Sequence, residues 1–406
     1  MTTTPRPLEG IRVLAIENFV AGPYGSMVLA DFGAEVIKVE PPGTGEGYRS
    51  VAPYWEKDGA KSSMGLMRCN RNKKSVALNL QTDAGKDLFR KLAKQSDVVW
   101  ENLRPDVMNR LGIGYEALSR ENERLIYVSL SGYGHADVLK SPFLDRPAFD
   151  IIGQAMSGLM YRPGNAGDPP VYLGFPLGDQ YTSMIGVIGA LVALQWRHLT
   201  GKGQHVDVAM YDTMASLNEY AVNYYAMLQQ VPTRGAMATS APYGAFKVKD
   251  GYVVIAVVGP PIWDRFCRGI GRTDLLEDPT LQTGADRGKR QDDYLRPLIE
   301  EWAADKTRAE VTDILTKAGV PASPIQDVDD LFGCPHVAAR QMLMTLDDPA
   351  AGPVKVAGNP IKLSGVPESP NRPAPQLGAD GDEILGGLLG LDEAGIARLR
   401  SEGVVG

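Results

Sequence analysis

Residues 11–40 read IRVLAIENFVAGPYGSMVLADFGAEVIKVE, and their patterning sets the fold class. Residues 11–16 are a short apolar run of the kind that forms a buried strand. Residues 22–32 carry apolar side chains at helical spacing (Met27, Val28, Leu29), and Gly33 supplies a stop. Residues 35–39 are a second strand. A strand, a helix and a strand in so short a span make a βαβ unit, the opening of a parallel sheet.

Working outward, the rhythm repeats. Residues 75–80 are strand-like, 83–96 form an amphipathic helix, and 97–100 and 124–130 are further strands. Alternating segments of this kind predict a doubly wound, Rossmann-like α/β domain over residues 1–224. It contains a strongly apolar helix at 180–198, the turn Thr200-Gly201-Lys202-Gly203 and a strand at 206–209. Residues 223–241 lose the rhythm and read as a linker. Residues 243–258 then carry a hairpin signal, with Asp250-Gly251 at the turn. Residues 225–325 are expected to form a smaller α+β domain, with 326–406 returning to the large one. The Pro-rich stretch 353–375 reads as extended, and the last helix lies near 392–401.

Composition narrows the function. The chain has 406 residues, 44% hydrophobic and 22% charged, the profile of a soluble globular protein with two domains. A formal net charge of −7 argues against a nucleic-acid partner, while leaving room for a local Arg/Lys cluster that holds an anion. Cys69, Cys267 and Cys334 are odd in number and far apart, which suits reduced thiols in a cytoplasmic protein rather than a disulfide framework or CxxC metal site. Residues 1–10 lack the apolar core of a signal peptide. The longest apolar stretch, 184–196, is 13 residues with two glycines, too short for a bilayer, and reads as a buried helix. No membrane partner is expected.

Several segments could carry chemistry. The first βα junction, Ala21-Gly22-Pro23-Tyr24-Gly25, lacks G-x-G-x-x-G, and Pro23 removes a backbone donor. A dinucleotide site is therefore not expected despite Glu40 at the end of the second strand. Asn70-Arg71-Asn72-Lys73-Lys74 is a run of donors that by itself reads as a solvated turn. Arg104 and Arg110 follow a strand end, where ligands bind in open parallel sheets. Asp179 lies in Gly174-Phe175-Pro176-Leu177-Gly178-Asp179, leading into the apolar helix. It could be a helix cap, or a carboxylate that flanking glycines leave open to a substrate. The four histidines show no zinc-ligand spacing, so no metal is expected, and there is no G-x-S-x-G elbow.

Taken in order, these segments resemble the family III CoA-transferases, a group that includes formyl-CoA:oxalate and carnitine CoA-transferases and the α-methylacyl-CoA racemases. The resemblance rests on Ala21-Gly22-Pro23, the run from Leu29 to Glu40, Asn70-Arg71-Asn72-Lys73-Lys74-Ser75 and Glu101-Asn102-Leu103-Arg104-Pro105. It extends through Leu111-Gly112-Ile113-Gly114-Tyr115, Ser131-Gly132-Tyr133-Gly134 and Gly201-Lys202-Gly203-Gln204. It implies that Asp179 is the covalent nucleophile and that a CoA thioester is the substrate, with no permanently bound cofactor. It also implies that Asn102 and Arg110, with Val20 and Ala21, contact CoA in the large domain. Lys74 and Arg104 are candidates by charge and place. An interlocked homodimer is the architecture implied, and succinyl-CoA with a dicarboxylic acid the first pair to consider.

Three departures qualify the resemblance. Pro41 stands where the oxalate enzyme has an arginine, leaving Arg49 as a substitute, and residues 237–241 lack the glycines of that enzyme's covering loop. The glycine-poor loop argues against oxalate. The racemase branch needs a His-Asp pair, and here the matching residues are Phe149-Asp150, so the first proton-transfer group is absent.

Overall fold

The computed structural model describes residues 4–165, 167–235, 240–366 and 370–406. It contains two compact units, one made of residues up to Met160, Tyr172–Val222 and Ala339–Gly406, the other of Tyr161–Val171 and Asn223–Ala338.

In the first unit, β1 (Arg12–Ile16), α1 (Ala21–Asp31) and β2 (Glu35–Glu40) form the βαβ unit expected from residues 11–40. A small hairpin, β3 (Tyr54–Lys57) and β4 (Ala60–Ser63), precedes α2 (Met64–Cys69), β5 (Lys74–Ala77) and α3 (Asp83–Lys94). Next come β6 (Val98–Glu101), α4 (Val107–Arg110), α5 (Tyr115–Ser119) and β7 (Ile126–Ser131). The run ends with α6 (Asp150–Met156), the long α7 (Leu177–Thr200), β8 (His205–Ala209) and α8 (Met210–Leu217).

Six strands pair in parallel in the order β5-β2-β1-β6-β7-β8. The chain winds one way from β1 and the other way from β6, so the order reverses between these neighbours, where Ile16 sits opposite Glu101. The central strands are apolar on both sides because both faces are covered. Val13 and Ala15 face a core shared with Val28 of α1 and Val187, Ala190 and Ala193 of α7. Leu14 faces the other core, with Phe89 and Leu92 of α3 and with Ile384, Leu385, Ile396 and Val405 near the C-terminus.

α1 and α7 cross closely because small residues meet at the crossing. A Cβ on Gly25 of α1 would stand 3.1 Å from the Ser183 carbonyl oxygen of α7 and 2.5 Å from the Trp100 ring. α7 is apolar enough to pass for a membrane-crossing helix by length and composition. It is not the wholly buried helix that its sequence suggests. Gly186, Val187, Ala190 and Ala193 are buried, whereas Ile188, Leu191, Val192, Trp196 and Leu199 form an exposed stripe on the other side.

The second unit is α+β. β9 (Tyr243–Val248), β10 (Gly251–Ala256) and β11 (Ala322–Pro324) make an antiparallel sheet in the order β11-β10-β9. Phe246, Val253 and Ile255 pack there with Trp263, Ile299 and Leu315 from helices Pro260–Gly269, Arg296–Ala303 and Arg308–Lys317. The hairpin turn is Lys249-Asp250 rather than Asp250-Gly251, since Val248 pairs with Gly251. The expected linker is helical in its first part, as α9 (Glu219–Leu228). Arg234 then ties residues 161–171 to this unit, donating to the carbonyls of Tyr161 and Pro169 at 2.8 and 3.0 Å. In the first unit, the stretch 353–375, read as extended, opens as the second strand of a hairpin, β12 (Leu343–Asp348) and β13 (Gly352–Ala357).

Candidate active site

In an open parallel sheet the ligand crevice forms where strand order reverses, at the carboxyl ends of the strands. Here that point lies between the loops after β1 and β6. The two loops are stitched together by Asn18 and Asn102. The Asn18 amide donates to Asn102 Oδ1 at 2.8 Å, and Asn102 Nδ2 donates to the Asn18 carbonyl at 2.9 Å. Gly22 must be glycine for this, because a Cβ there would stand 2.7 Å from Asn102 Oδ1. Behind the loop, Glu101 accepts from the Leu103 amide at 2.7 Å and so fixes the turn that presents Asn102 and Arg104. Burial pushes the Glu101 carboxyl up to about 8, so it is largely neutral near pH 7.

The donor run 70–74 turns inward rather than lying solvated at the surface. Lys73 donates to Glu17 at 2.7 Å, to the Pro23 carbonyl at 2.9 Å and to Asn70 Oδ1 at 2.8 Å. Burial alone would raise the Glu17 carboxyl, but Lys73 and Lys38 reverse this and hold it ionised. Arg71 forms a buried fork with Asp31, at 3.0 and 2.6 Å. These contacts brace the start and end of α1. Lys74, at the opposite end of its strand from the cleft loops, pairs with Glu35 and Glu383, both at 2.8 Å.

Asp179 sits in the first turn of α7, not at its cap. Asp150, at the start of α6, serves that helix end instead, its Oδ1 accepting from the Gly178 amide at 2.6 Å. Its Oδ2 accepts from Gln154 at 2.8 Å and from the Tyr172 hydroxyl at 3.2 Å. Among the described residues no hydrogen bond reaches the Asp179 carboxylate. Half-buried and beside the Asp150 charge, Asp179 is pushed up to about 7, against the opposing pull of Arg68.

Asp179 opens into a cleft of about 350 Å³ and is the one carboxylate among its lining residues. Ala21, Asn102 and Arg104 from the expected set line it too. Val20 lies buried beneath, and Phe19 beside it takes up a left-handed φ of 61° to place its ring at the rim. Arg110, 70% exposed and 3.8 Å from Asp106, lies outside the lining, and so does Lys74. Arg49 is committed to Glu40, at 2.7 and 2.6 Å, and is not free to stand in for an arginine at position 41. Arg146 was not picked out from the sequence. It lines the cleft next to Phe149, and no helical or motif signal marks it. Among the described residues no group of three or more His, Cys, Asp or Glu is arranged for a metal ion. The covering loop expected at 237–241 lies largely outside the described residues.

Residues 8–381 match the family described as CoA-transferase family III. This chain belongs to that family. As a CoA-transferase it is 38% identical over 396 residues to a succinyl-CoA:mesaconate CoA-transferase of Haloarcula hispanica, covering 96% of each chain. It is 34% identical to a succinyl-CoA–D-citramalate CoA-transferase of Chloroflexus aurantiacus, over 99% of this chain and 98% of that one. Among solved structures it is similar to a CaiB/BaiF family protein of Brucella suis, with a TM-score of 0.83 and 31% identity. That match covers 95% of this transferase and all of the other chain. A CoA-transferase needs a cleft that admits a long anionic thioester, and in this one Arg104 and Arg146 line the same crevice as Asp179. Neither guanidinium is engaged in an ion pair among the described residues, so both can meet an anion.

Proposed function

We propose that this transferase moves CoA from succinyl-CoA to a dicarboxylic acid such as mesaconate, through covalent intermediates on Asp179. The observation that carries the reading is the state of that carboxylate: half-buried, without a hydrogen bond among the described residues, and lining the crevice at the sheet's reversal point. A carboxylate stripped of donors is a better nucleophile than a solvated one. Asp179 attacks the thioester carbonyl, giving a mixed anhydride and CoA thiolate. The thiolate attacks the aspartyl carbonyl of the anhydride, releasing the first acid and leaving an aspartyl-CoA thioester. The incoming carboxylate attacks that thioester to form a new anhydride and free the thiolate again. Attack of the thiolate on the new acyl carbonyl yields the product and restores Asp179. No permanently bound cofactor enters.

Asn102 and Ala21 line the path of the pantetheine arm in this reading, and Arg104 with Arg110 attracts the phosphates. The exposed stripe of α7 supports an interlocked homodimer, since an apolar stripe of this length calls for a cover. Three free cysteines suit the cytoplasm. A racemase is disfavoured because Phe149, which lines the cleft, cannot move a proton. The test is to incubate the enzyme with succinyl-CoA and no acceptor. CoA should remain attached, mild hydroxylamine should convert the acylated carboxyl to a hydroxamate, and peptide mass spectrometry should place it on Asp179. Solvent deuterium entering the acyl group, with no adduct formed, would show the racemase reading to be right instead.

A further inference from the structure

Asp179 has a cationic neighbour that plays no part in the mechanism above. Arg68 lies in the last turn of α2, half-buried, with its guanidinium 5.9 Å from the centre of the Tyr48 ring. Tyr48 packs on the same face of that helix, where a Cβ on Gly65 would stand 2.8 Å from the ring. Tyr48 meets Phe19 edge-on at 5.3 Å, and Phe19 meets Phe149 at 6.2 Å. Phe19 and Phe149 line the cleft with Asp179. A chain of aromatic contacts thus runs from Arg68, behind Tyr48, to the lining of the cleft that Asp179 shares.

Its hydrogen bonding is incomplete. Arg68 Nε is buried with no hydrogen-bond partner, and among the described residues no carboxylate pairs with this side chain. The adjacent Cys69 thiol, kept protonated by burial, is at best a weak acceptor. A buried guanidinium N–H without an acceptor is unfavourable, and native proteins rarely leave one so. The Arg68 charge nevertheless reaches Asp179, where it opposes the effect of burial, although the two groups form no ion pair. Arg68 thus holds an unpaired charge behind the aromatic rim of the cleft, available to a second anion.

Resting on the transferase reading above, we infer that Arg68 is the specificity residue for the distal carboxylate of the acyl group, accepting dicarboxylic acids while Asp179 reacts at the proximal end. A forked guanidinium suits a planar carboxylate, and the ring of Tyr48 holds the fork in place. Arg104 and Arg146, both exposed, then serve the CoA moiety.

The experiment compares kcat/KM for succinyl-CoA and butyryl-CoA, with one acceptor, in wild type, Arg68→Met and Arg68→Lys. Loss of the charge alters Asp179 equally for both donors, so the ratio isolates recognition of the distal carboxylate. It should fall by roughly 10- to 100-fold in Arg68→Met and less in Arg68→Lys. Equal losses for both donors would mean a structural role and overturn the inference. A second measurement needs no variant: wild type should accept succinate far better than its uncharged monoamide, and lack of preference overturns the inference. No exchange with any donor and acceptor would sink the transferase reading, and this one with it. Exchange without charge preference sinks only the second.

Discussion

Replacing Asp179 with asparagine should abolish transfer and, at alkaline pH, stabilise the fold. The carboxyl rises from an ordinary value of 3.8 to about 7, roughly 3 units, with burial the larger cause and Asp150 the second. At 1.36 kcal/mol per unit the ionised side chain opposes folding by about 4 kcal/mol, an upper bound that water at the cleft mouth lowers to roughly 1–3. The sign follows from proton binding. The folded state holds this proton more tightly than the unfolded one, so the penalty is full above pH 7, shrinks between 7 and 3.8, and vanishes below. Asp179→Asn keeps the volume and removes the charge. Its melting temperature should exceed that of wild type by several degrees at pH 8, at roughly 2–4 °C per kcal/mol, and converge on it near pH 4. Thermal melts at pH 8, 6.5 and 5, beside a thioester-exchange assay, read both effects. A variant that transfers CoA, or one no more stable than wild type at pH 8, would refute the reasoning.

The neighbouring Asp150→Asn change should act on the rate profile. An amide oxygen can still accept from Gly178, but the like charge beside Asp179 is gone, so the acid limb of kcat/KM should move down by about one pH unit. A limb that stays put, or moves up, would place the source of the shift elsewhere. Arg71→Met leaves the buried Asp31 carboxylate without a counter-charge, held only by the amides of Asn72 and Asn359, and should lower stability by about 3 kcal/mol, read as a fall in melting temperature. If stability is unchanged, the fork bracing α1 is not structural.

The sheet was legible because its strands are buried on both faces and read as short apolar runs, as at 11–16 and 126–131. Asp179 was legible as a glycine-flanked carboxylate, though its choice over the cap rested on family resemblance. What takes the cap away from Asp179 is long-range: Asp150, 29 positions earlier, accepts from the Gly178 amide. No local pattern shows that. Lys73 and Arg71 read as surface charge because a run of cations looks the same whether its partners, Glu17 and Asp31, lie 56 and 40 positions away or nowhere. Arg146 and Arg68 escaped notice for the converse reason. Each is a lone arginine placed by the fold, Arg146 in the cleft lining and Arg68 against the Tyr48 ring, and no spacing in the chain encodes either neighbourhood.

One face of the large sheet is closed by the last residues of the chain. Ile384, Leu385, Ile396, Val404 and Val405 pack against Leu14, Val39 and Phe89, and Leu78 bridges to Val405. During synthesis this face stays open until residues 384–405 have emerged, by which point residues 223–338 of the second unit are already out. The nascent chain therefore carries an assembled small unit and an unsealed large one. The large unit becomes a finished body only once those residues are made, and a stop codon before residue 384 removes a wall of the core rather than a tail.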